Sequence, residues 1–380
     1  MEDKRYMALH EIVQQAREKL DATYWDYLVG GADTETTLRR NRLALDQLGI
    51  VSRVLNDVSA VDTSGSLLGH QLDMPVLLAP IGSLESFDPG GGASAAIAAD
   101  HAGIISMASS VCQPSLEAIA SASAGPKIYQ LYVRGDVNWI SDVIQRALDN
   151  DYAAFCLTVD TAVVSRRERD IAKRVSPTSA QPAGGMEYQA SFSWHELAEV
   201  RARHNIPLII KGISHPADAR RAVDLGVNAI YVSNHGGRQL DQAIASISAL
   251  PAIVEAVQGE AEIIVDGGFY RGTDILKAIA LGANCVGIGR LEAWALAAGG
   301  VPALLRCLTL LKRELAKSMA LAGVTTLADL NPAFVTQATA VAAPDVVSAF
   351  PLIDDYPGPP GIREGIREGI REGTKEGNNE

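Results

Sequence analysis

The chain has 380 residues, 47% of them apolar, so it can bury a large core either as two domains or as one α/β barrel with extensions. Its formal charge of −12 argues against nucleic acid or an anionic membrane surface as the main partner, and any phosphate must be held locally. Cys112, Cys156, Cys285 and Cys307 lack CxxC spacing and sit in apolar stretches, which points to buried thiols in a reducing compartment rather than to disulfides or a metal site.

The N-terminus opens with charged residues and no apolar signal core, and no uninterrupted apolar run reaches membrane-spanning length. The expectation is a soluble, cytoplasmic protein with no membrane partner. Residues 7 to 48 read as helices broken near Gly30 and Gly31. Eight short apolar runs follow: Val76 to Ala79, Ile104 to Ala108, Lys127 to Tyr132, Ala153 to Val159, Leu208 to Lys211, Ala229 to Val232, Glu262 to Val265 and Cys285 to Ile288. Each is succeeded by a stretch of helical periodicity, the rhythm of a single (β/α)8 TIM barrel over about residues 70 to 300. Ser115, Asp136 and Pro216 start helices, and Gly226, Gly259 and Gly282 end them. Val301 to Leu321 predicts a long amphipathic helix. Residues 1 to 345 are thus expected as one unit and 346 to 380 as a low-complexity tail, in which Gly361 to Gly373 repeats GIRE and GTKE is a diverged copy. A glycine every fourth residue costs roughly 1 kcal/mol per position in a helix, so the tail predicts disorder in isolation. A docking or assembly role is the alternative.

In such barrels active sites gather at the C-terminal ends of the strands, and nearly every run here ends in unusual polar residues. The first ends in Pro80-Ile81-Gly82, the second runs into Ser109, and the third carries Gln130 and Tyr132. The fourth ends in Thr158 and Asp160, followed by Arg166 and Arg167; the fifth ends in Lys211. The sixth leads into Ser233-Asn234-His235-Gly236-Gly237-Arg238, a base and a fixed cation three residues apart on a glycine turn. Imidazole can take a proton near neutral pH, and guanidinium matches a carboxylate with two parallel hydrogen bonds. Together they suit an anionic substrate that must lose a proton. The seventh run ends in Asp266-Gly267-Gly268 and the eighth in Gly289-Arg290, with Arg271 near, a placement suited to phosphate.

These residues resemble the FMN-dependent α-hydroxy acid oxidase and dehydrogenase family, which includes glycolate oxidase, lactate oxidase and mandelate dehydrogenase, over about residues 7 to 330. The similarity is carried by SNHGGRQLD at 233 to 241, DGGFYRGTDILKAIALGA at 266 to 283, LTVDT at 157 to 161 with RRERD at 166 to 170, and QLYV at 130 to 133. The resemblance implies an FMN across the barrel mouth. Its ring would touch Pro80, Ile81, Gly82, Ser109, Gln130, Thr158, Lys211 and Ser233, and its phosphate Asp266, Gly267, Gly268, Phe269, Tyr270, Arg271, Gly289 and Arg290. Lys211 would stabilise the anionic reduced flavin. Arg238 and Tyr27 would grip the carboxylate of a small-molecule 2-hydroxy acid with Arg167 assisting, Tyr132 would bond its hydroxyl, and His235 would be the base, oriented by Asp160. His235 takes either the α-carbon proton or the hydroxyl proton, the latter with hydride passing to the flavin; both give a 2-oxo acid. The family's habit further implies a homotetramer.

Three departures stand out. Tyr270 occupies a position where relatives usually place a basic residue, so Arg271 or Arg290 is expected to compensate. Val111 replaces an often aromatic position, implying a roomier pocket. The stretch from Arg174 to Ser193 is short, and Ser176 to Tyr188 lacks the long apolar insertion of the membrane-bound dehydrogenases, which favours an oxidase passing electrons to oxygen over a dehydrogenase with a quinone or protein acceptor. A flavin-type isopentenyl diphosphate isomerase would not need His235, Arg238 and Asp160 together. Oxidation of a 2-amino acid or amine, or a flavin-binding barrel without activity, are the remaining rivals, and a substrate panel separates them.

Overall fold

The computed structural model describes residues 5–174 and 184–354. Its eight apolar runs form a closed parallel barrel: β1 Val76–Leu78, β2 Ile105–Ser109, β3 Lys127–Leu131, β4 Ala154–Thr158, β5 Leu208–Ile213, β6 Ala229–Val232, β7 Glu262–Val265 and β8 Cys285–Ile288. Each strand pairs with the next, and β8 closes on β1 with Gly287 opposite Leu77. This is the expected (β/α)8 TIM barrel. Burial on both faces explains why the strands read as continuous apolar runs rather than alternating ones.

Two cores result. Strands pack outward on their helices through one large apolar cluster, while Leu77, Ile105, Met107, Ile128, Cys156, Ile209, Tyr231, Ile264 and others fill the barrel interior. A hairpin of Gly65–Leu67 and His70–Leu72 adds Leu67 and Leu72 to that inner cluster, and Glu262 at the start of β7 accepts from the Leu68 amide. The hairpin therefore plugs the N-terminal end of the barrel, leaving the other end open for chemistry.

Ser115 and Asp136 cap their helices through the amides of Ala118 and Trp139, and Pro216 opens Pro216–Asp224 as its first residue. The N-terminal region forms helices Leu9–Lys19, Ala22–Val29 and Thr36–Asp46, with the break at Gly30 and Gly31 as expected. The helix after β8 is longer than expected: Arg290–Ala322 runs through a kink at Gly299 and Gly300, whose backbone leaves the helical region, and Pro302 follows at once. By length and hydropathy it could cross a membrane, yet two thirds of its apolar window is buried against the rest of the molecule. It is a core helix here.

The chain beyond the barrel is more ordered than its composition suggests. Val335–Gln337 pairs antiparallel with Leu48–Ile50, tying the two extensions together. The expectation that the tail begins at residue 346 is corrected: Val346, Phe350 and Ile353 are buried, and Phe350 packs edge-on against Trp294. Three apolar residues spaced three to four apart supply the buried face that the GIRE repeats lack. The repeats themselves lie outside the described residues.

Candidate active site

Side chains alternate along a strand, so the inward row of each barrel strand continues directly into the mouth. Met107 is followed two residues on by Ser109, Ile128 by Gln130 and then Tyr132, and Cys156 by Thr158 and then Asp160. Ile209 is followed by Lys211, Tyr231 by Ser233 and then His235, and Ile264 by Asp266. The rows change from apolar to polar at one level, where the barrel floor ends.

The first polar layer is closed by its own bonds. Gln130 Nε2 donates to Thr158 Oγ1 at 2.8 Å, and Lys211 Nζ lies 3.0 Å from Ser233 Oγ and 3.6 Å from Asp266. Burial works against the charge of Lys211, but Asp266 and Asp160 outweigh it and hold the amine above the ordinary lysine value, so it stays a cation. Ser109, Gln130, Thr158 and Ser233 form this floor rather than the cavity wall, whereas Lys211 reaches through it.

Above the floor opens a cavity of about 340 Å³ lined by Tyr27, Pro80, Ile81, Gly82, Val111, Tyr132, Arg167, Lys211, His235, Arg238, Asp266 to Tyr270, Gly289 and Arg290, among others. His235 sits where the turn places three successive residues at positive φ: 60° at His235, 63° at Gly236 and 76° at Gly237. A left-handed histidine is strained by about 1–2 kcal/mol, and the surroundings hold it. Asn234 accepts from the Gly237 amide and exchanges side-chain bonds with Asn41, while a Cβ at Gly237 would fall 2.5 Å from the Leu38 nitrogen. Asp241 accepts from the amides of Thr34 and Thr37 and fixes the far end of the turn.

His235 Nδ1 lies 3.0 Å from Asp160 Oδ1, and its Nε2 lies 3.2 Å from the Tyr132 hydroxyl. Burial lowers the imidazole below its ordinary 6.5; Asp160 opposes this, and Lys211 and Arg167 add to it. For Asp160 burial acts upward, but His235 and Lys211 prevail and keep it ionised. The pair therefore rests as neutral imidazole and carboxylate, with the proton on Nδ1 and a lone pair on Nε2 facing the cavity. Burial pushes Tyr132 up to about 12, so its hydroxyl remains a donor. Asp160 can approach because β5 bulges at Gly212, at φ 111°, where a Cβ would come within 2.7 Å of the Asp160 Cβ. Sequence reasoning missed Gly212; the glycine directly after Lys211 was the available signal.

Arg238 donates to the carbonyls of Tyr27 and Gly30, and Arg290 to those of Leu28, Gly30 and Gly236. Both guanidinium groups thus seat on the carbonyl-rich C-terminus of Ala22–Val29, which brings Tyr27 to the wall with its ring 4.8 Å from Arg238 Cζ. Burial, with Arg167 and Arg290 nearby, pulls Arg238 down to about 9. Such a cluster of cations in a buried space favours anionic ligands.

The phosphate expectation needs one correction. Arg271 does not line the cavity: its guanidinium pairs with Glu314 and bonds the Ala349 carbonyl, because the chain turns into Gly272–Ala280 and swings the side chain outward. Arg290 does line it, next to Tyr270, whose ring is packed between Trp294 and Phe350 at 5.4 and 5.7 Å. Asp274 takes the amides of Tyr270 and Arg271 and, with Arg42, forms a buried ion pair of 2.8 Å that also holds the Gly268 carbonyl. Among the described residues the amides of Gly267, Gly268 and Phe269 meet no acceptor, with both glycines at positive φ. Free amides in that arrangement fit a phosphate. Among the described residues Gln130 Oε1 is buried without a partner, and it fits a ring N–H. The residues present therefore suit FMN.

No group of three or more potential metal ligands clusters among the described residues. The four cysteines are buried and unpaired. Of the short stretch between Arg174 and Ser193, residues 175–183 lie outside the described residues; Met186–Ser191 is helical, and Gln189 within it joins the Val133 amide to the Thr158 carbonyl.

Comparison with known proteins agrees with this geometry. A family model described as FMN-dependent dehydrogenase matches residues 16–337. An L-lactate oxidase of Nostoc sp. is 38% identical over 353 residues, covering 86% of this chain and 97% of that protein. Glycolate oxidase 1 of Oryza sativa subsp. indica is 38% identical, covering 87% and 95%. A crystal structure of mandelate oxidase superposes with a TM-score of 0.82 at 36% identity, covering 89% of this chain and all of that one.

Proposed function

Because the chain belongs to the FMN-dependent dehydrogenase family together with the 2-hydroxy acid oxidases, we propose that it oxidises an (S)-2-hydroxy acid to the 2-oxo acid and passes the electrons to oxygen, giving hydrogen peroxide. The observation that carries this reading is the His235, Asp160 and Tyr132 chain set beside Arg238 and Arg167 in one cavity with the open amides of Gly267 to Phe269.

FMN would be held by Gln130, Thr158 and Lys211 at its ring and by Gly267 to Phe269, Gly289 and Arg290 at its phosphate; it supplies the two-electron acceptor. Arg238 and Arg167 bind the substrate carboxylate, with Tyr27 shaping the same wall. Tyr132 donates to or accepts from the substrate hydroxyl and sets it beside His235 Nε2. His235 then takes one proton from the substrate, and Asp160 stabilises the imidazolium that forms. The substrate loses two protons and two electrons in all, which dioxygen finally carries away as hydrogen peroxide. Lys211 would offset the negative charge that a reduced cofactor gains, and its own charge is already held in place by Asp266.

The test is anaerobic absorbance of purified protein mixed with L- and D-2-hydroxy acids and then opened to air. Bleaching of the flavin band by the L series and rapid recovery in air are expected. A bound flavin that no hydroxy acid bleaches overturns the proposal, and bleaching without recovery replaces oxygen with another acceptor. A cytoplasmic homotetramer is the working assembly, supported by the buried reduced thiols and by the family's habit; light scattering of the holoenzyme tests the oligomeric state.

A further inference from the structure

One cation in the cavity has no task in the reaction described. Arg134, three residues past β3, lines the same cavity as His235 and Arg238. Its guanidinium lies over the face of Tyr132, 5.9 Å from the ring centroid, and the hydroxyl of that ring faces His235. Among the described residues its only hydrogen bond runs from Nη1 to the adjacent Val133 carbonyl at 3.0 Å, and its Nε is buried without a partner.

Arginines withdrawn from water are normally matched by carboxylates, as Arg42 is by Asp274. Arg134 has no such match: no Asp or Glu pairs with it among the described residues, and residues 175–183 contain neither. Nearby Asp136 is committed to capping the Trp139 amide. Burial accordingly lowers the guanidinium from its ordinary value. The other anions expected in the cavity are provided for, since a substrate carboxylate meets Arg238 and Arg167 and a phosphate meets the glycine loop. The partner that Arg134 lacks is therefore a second anionic group, carried by the substrate's own side chain. Val111 lines the same cavity with a small side chain, which leaves room for such a group.

Resting on the 2-hydroxy acid oxidase reading, we propose that this site prefers 2-hydroxy dicarboxylates, with Arg134 binding the distal carboxylate and so determining specificity.

The experiment uses the FMN-loaded enzyme and compares kcat/KM for 2-hydroxybutanedioate, 2-hydroxypentanedioate and 2-hydroxyhexanedioate with 2-hydroxybutanoate, 2-hydroxypentanoate and 2-hydroxyhexanoate. A charge-assisted bond predicts that at least one dicarboxylate exceeds its uncharged counterpart by roughly 10- to 100-fold, mostly through KM. In Arg134→Gln the ratio for that pair falls to about one, and Arg134→Lys restores part of it. Equal or inverted ratios in the wild type, or a ratio unchanged in Arg134→Gln, overturn the proposal while leaving hydroxy acid oxidation standing. Failure of all six compounds to bleach the flavin overturns both. A parallel titration of the oxidised flavin band with the 2-oxo dicarboxylate products reads binding without turnover, and equal affinity in wild type and Arg134→Gln also overturns it.

Discussion

At the scale of single residues the site is a set of charges whose environments have been pushed apart. Neutral His235 and ionised Asp160 are what a general base and its orienting group require, and the same burial that favours the neutral imidazole sets the pH response. Since the folded protein disfavours the protonated histidine, kcat/KM should hold down to pH 6.5 and fall only at lower pH, with a midpoint below that value. Asp160→Asn removes the one neighbour that favours protonation, so the limb should move further to acid while the rate of flavin reduction drops roughly 100-fold or more. Stability follows the same sign: the contribution of neutral His235 is complete above pH 6.5 and declines as the unfolded chain takes up a proton the folded site resists. His235→Gln should slow anaerobic flavin reduction by roughly 100- to 10,000-fold with FMN still bound, as read by stopped-flow absorbance. Much of this was legible in the sequence because His235, Arg238 and Asp160 follow predicted strands. Gly212 stands in the sequence directly after Lys211, but its role is to leave room for Asp160, a requirement created by a neighbouring strand.

At the scale of elements, strands and helices were readable wherever burial imposes one period. Six of the eight barrel strands fall within the predicted runs, while β2 runs one residue further, to Ser109, and β5 two further, to Ile213. The C-terminal segment was not, because three apolar residues spaced three to four apart are too few to announce that they dock on a helix distant in the chain. Phe350 packs on Tyr270 and Trp294, and the Ala349 carbonyl holds Arg271, so residues 346–353 brace the loop that carries the open amides. Phe350→Ala should destabilise the protein by about 3–5 kcal/mol in denaturant titration. Truncation after residue 354 should leave FMN retention unchanged, whereas truncation after 345 should weaken it, as measured by fluorescence titration of the apoprotein. Equal retention in the two truncations would show that the brace has no influence on the cofactor loop.

At the scale of the molecule, the N-terminal helices, the barrel mouth and the post-barrel helix meet at the cluster of Arg238, Arg167 and Arg290, so an anionic cofactor should stabilise the whole chain. At a free concentration about 100 times its dissociation constant, FMN should add roughly 2.7 kcal/mol, which raises Tm by about 3 °C for a chain of this size. Calorimetry with and without FMN reads that shift, and an unchanged Tm would contradict binding at this site.

By itself the sequence determined the barrel, its strand order and the polar ends of its strands, because each depends on hydrophobic periodicity and on residues adjacent in the chain. It also determined the chemical types available for catalysis. Only the tertiary structure decided that Arg271 faces Glu314 while Arg290 faces the cavity, that Phe350 belongs to the core, and that Arg134 enters the cavity with no carboxylate partner among the described residues. Direction and partnership are set by contacts between segments distant in the chain, and local pattern carries no record of them.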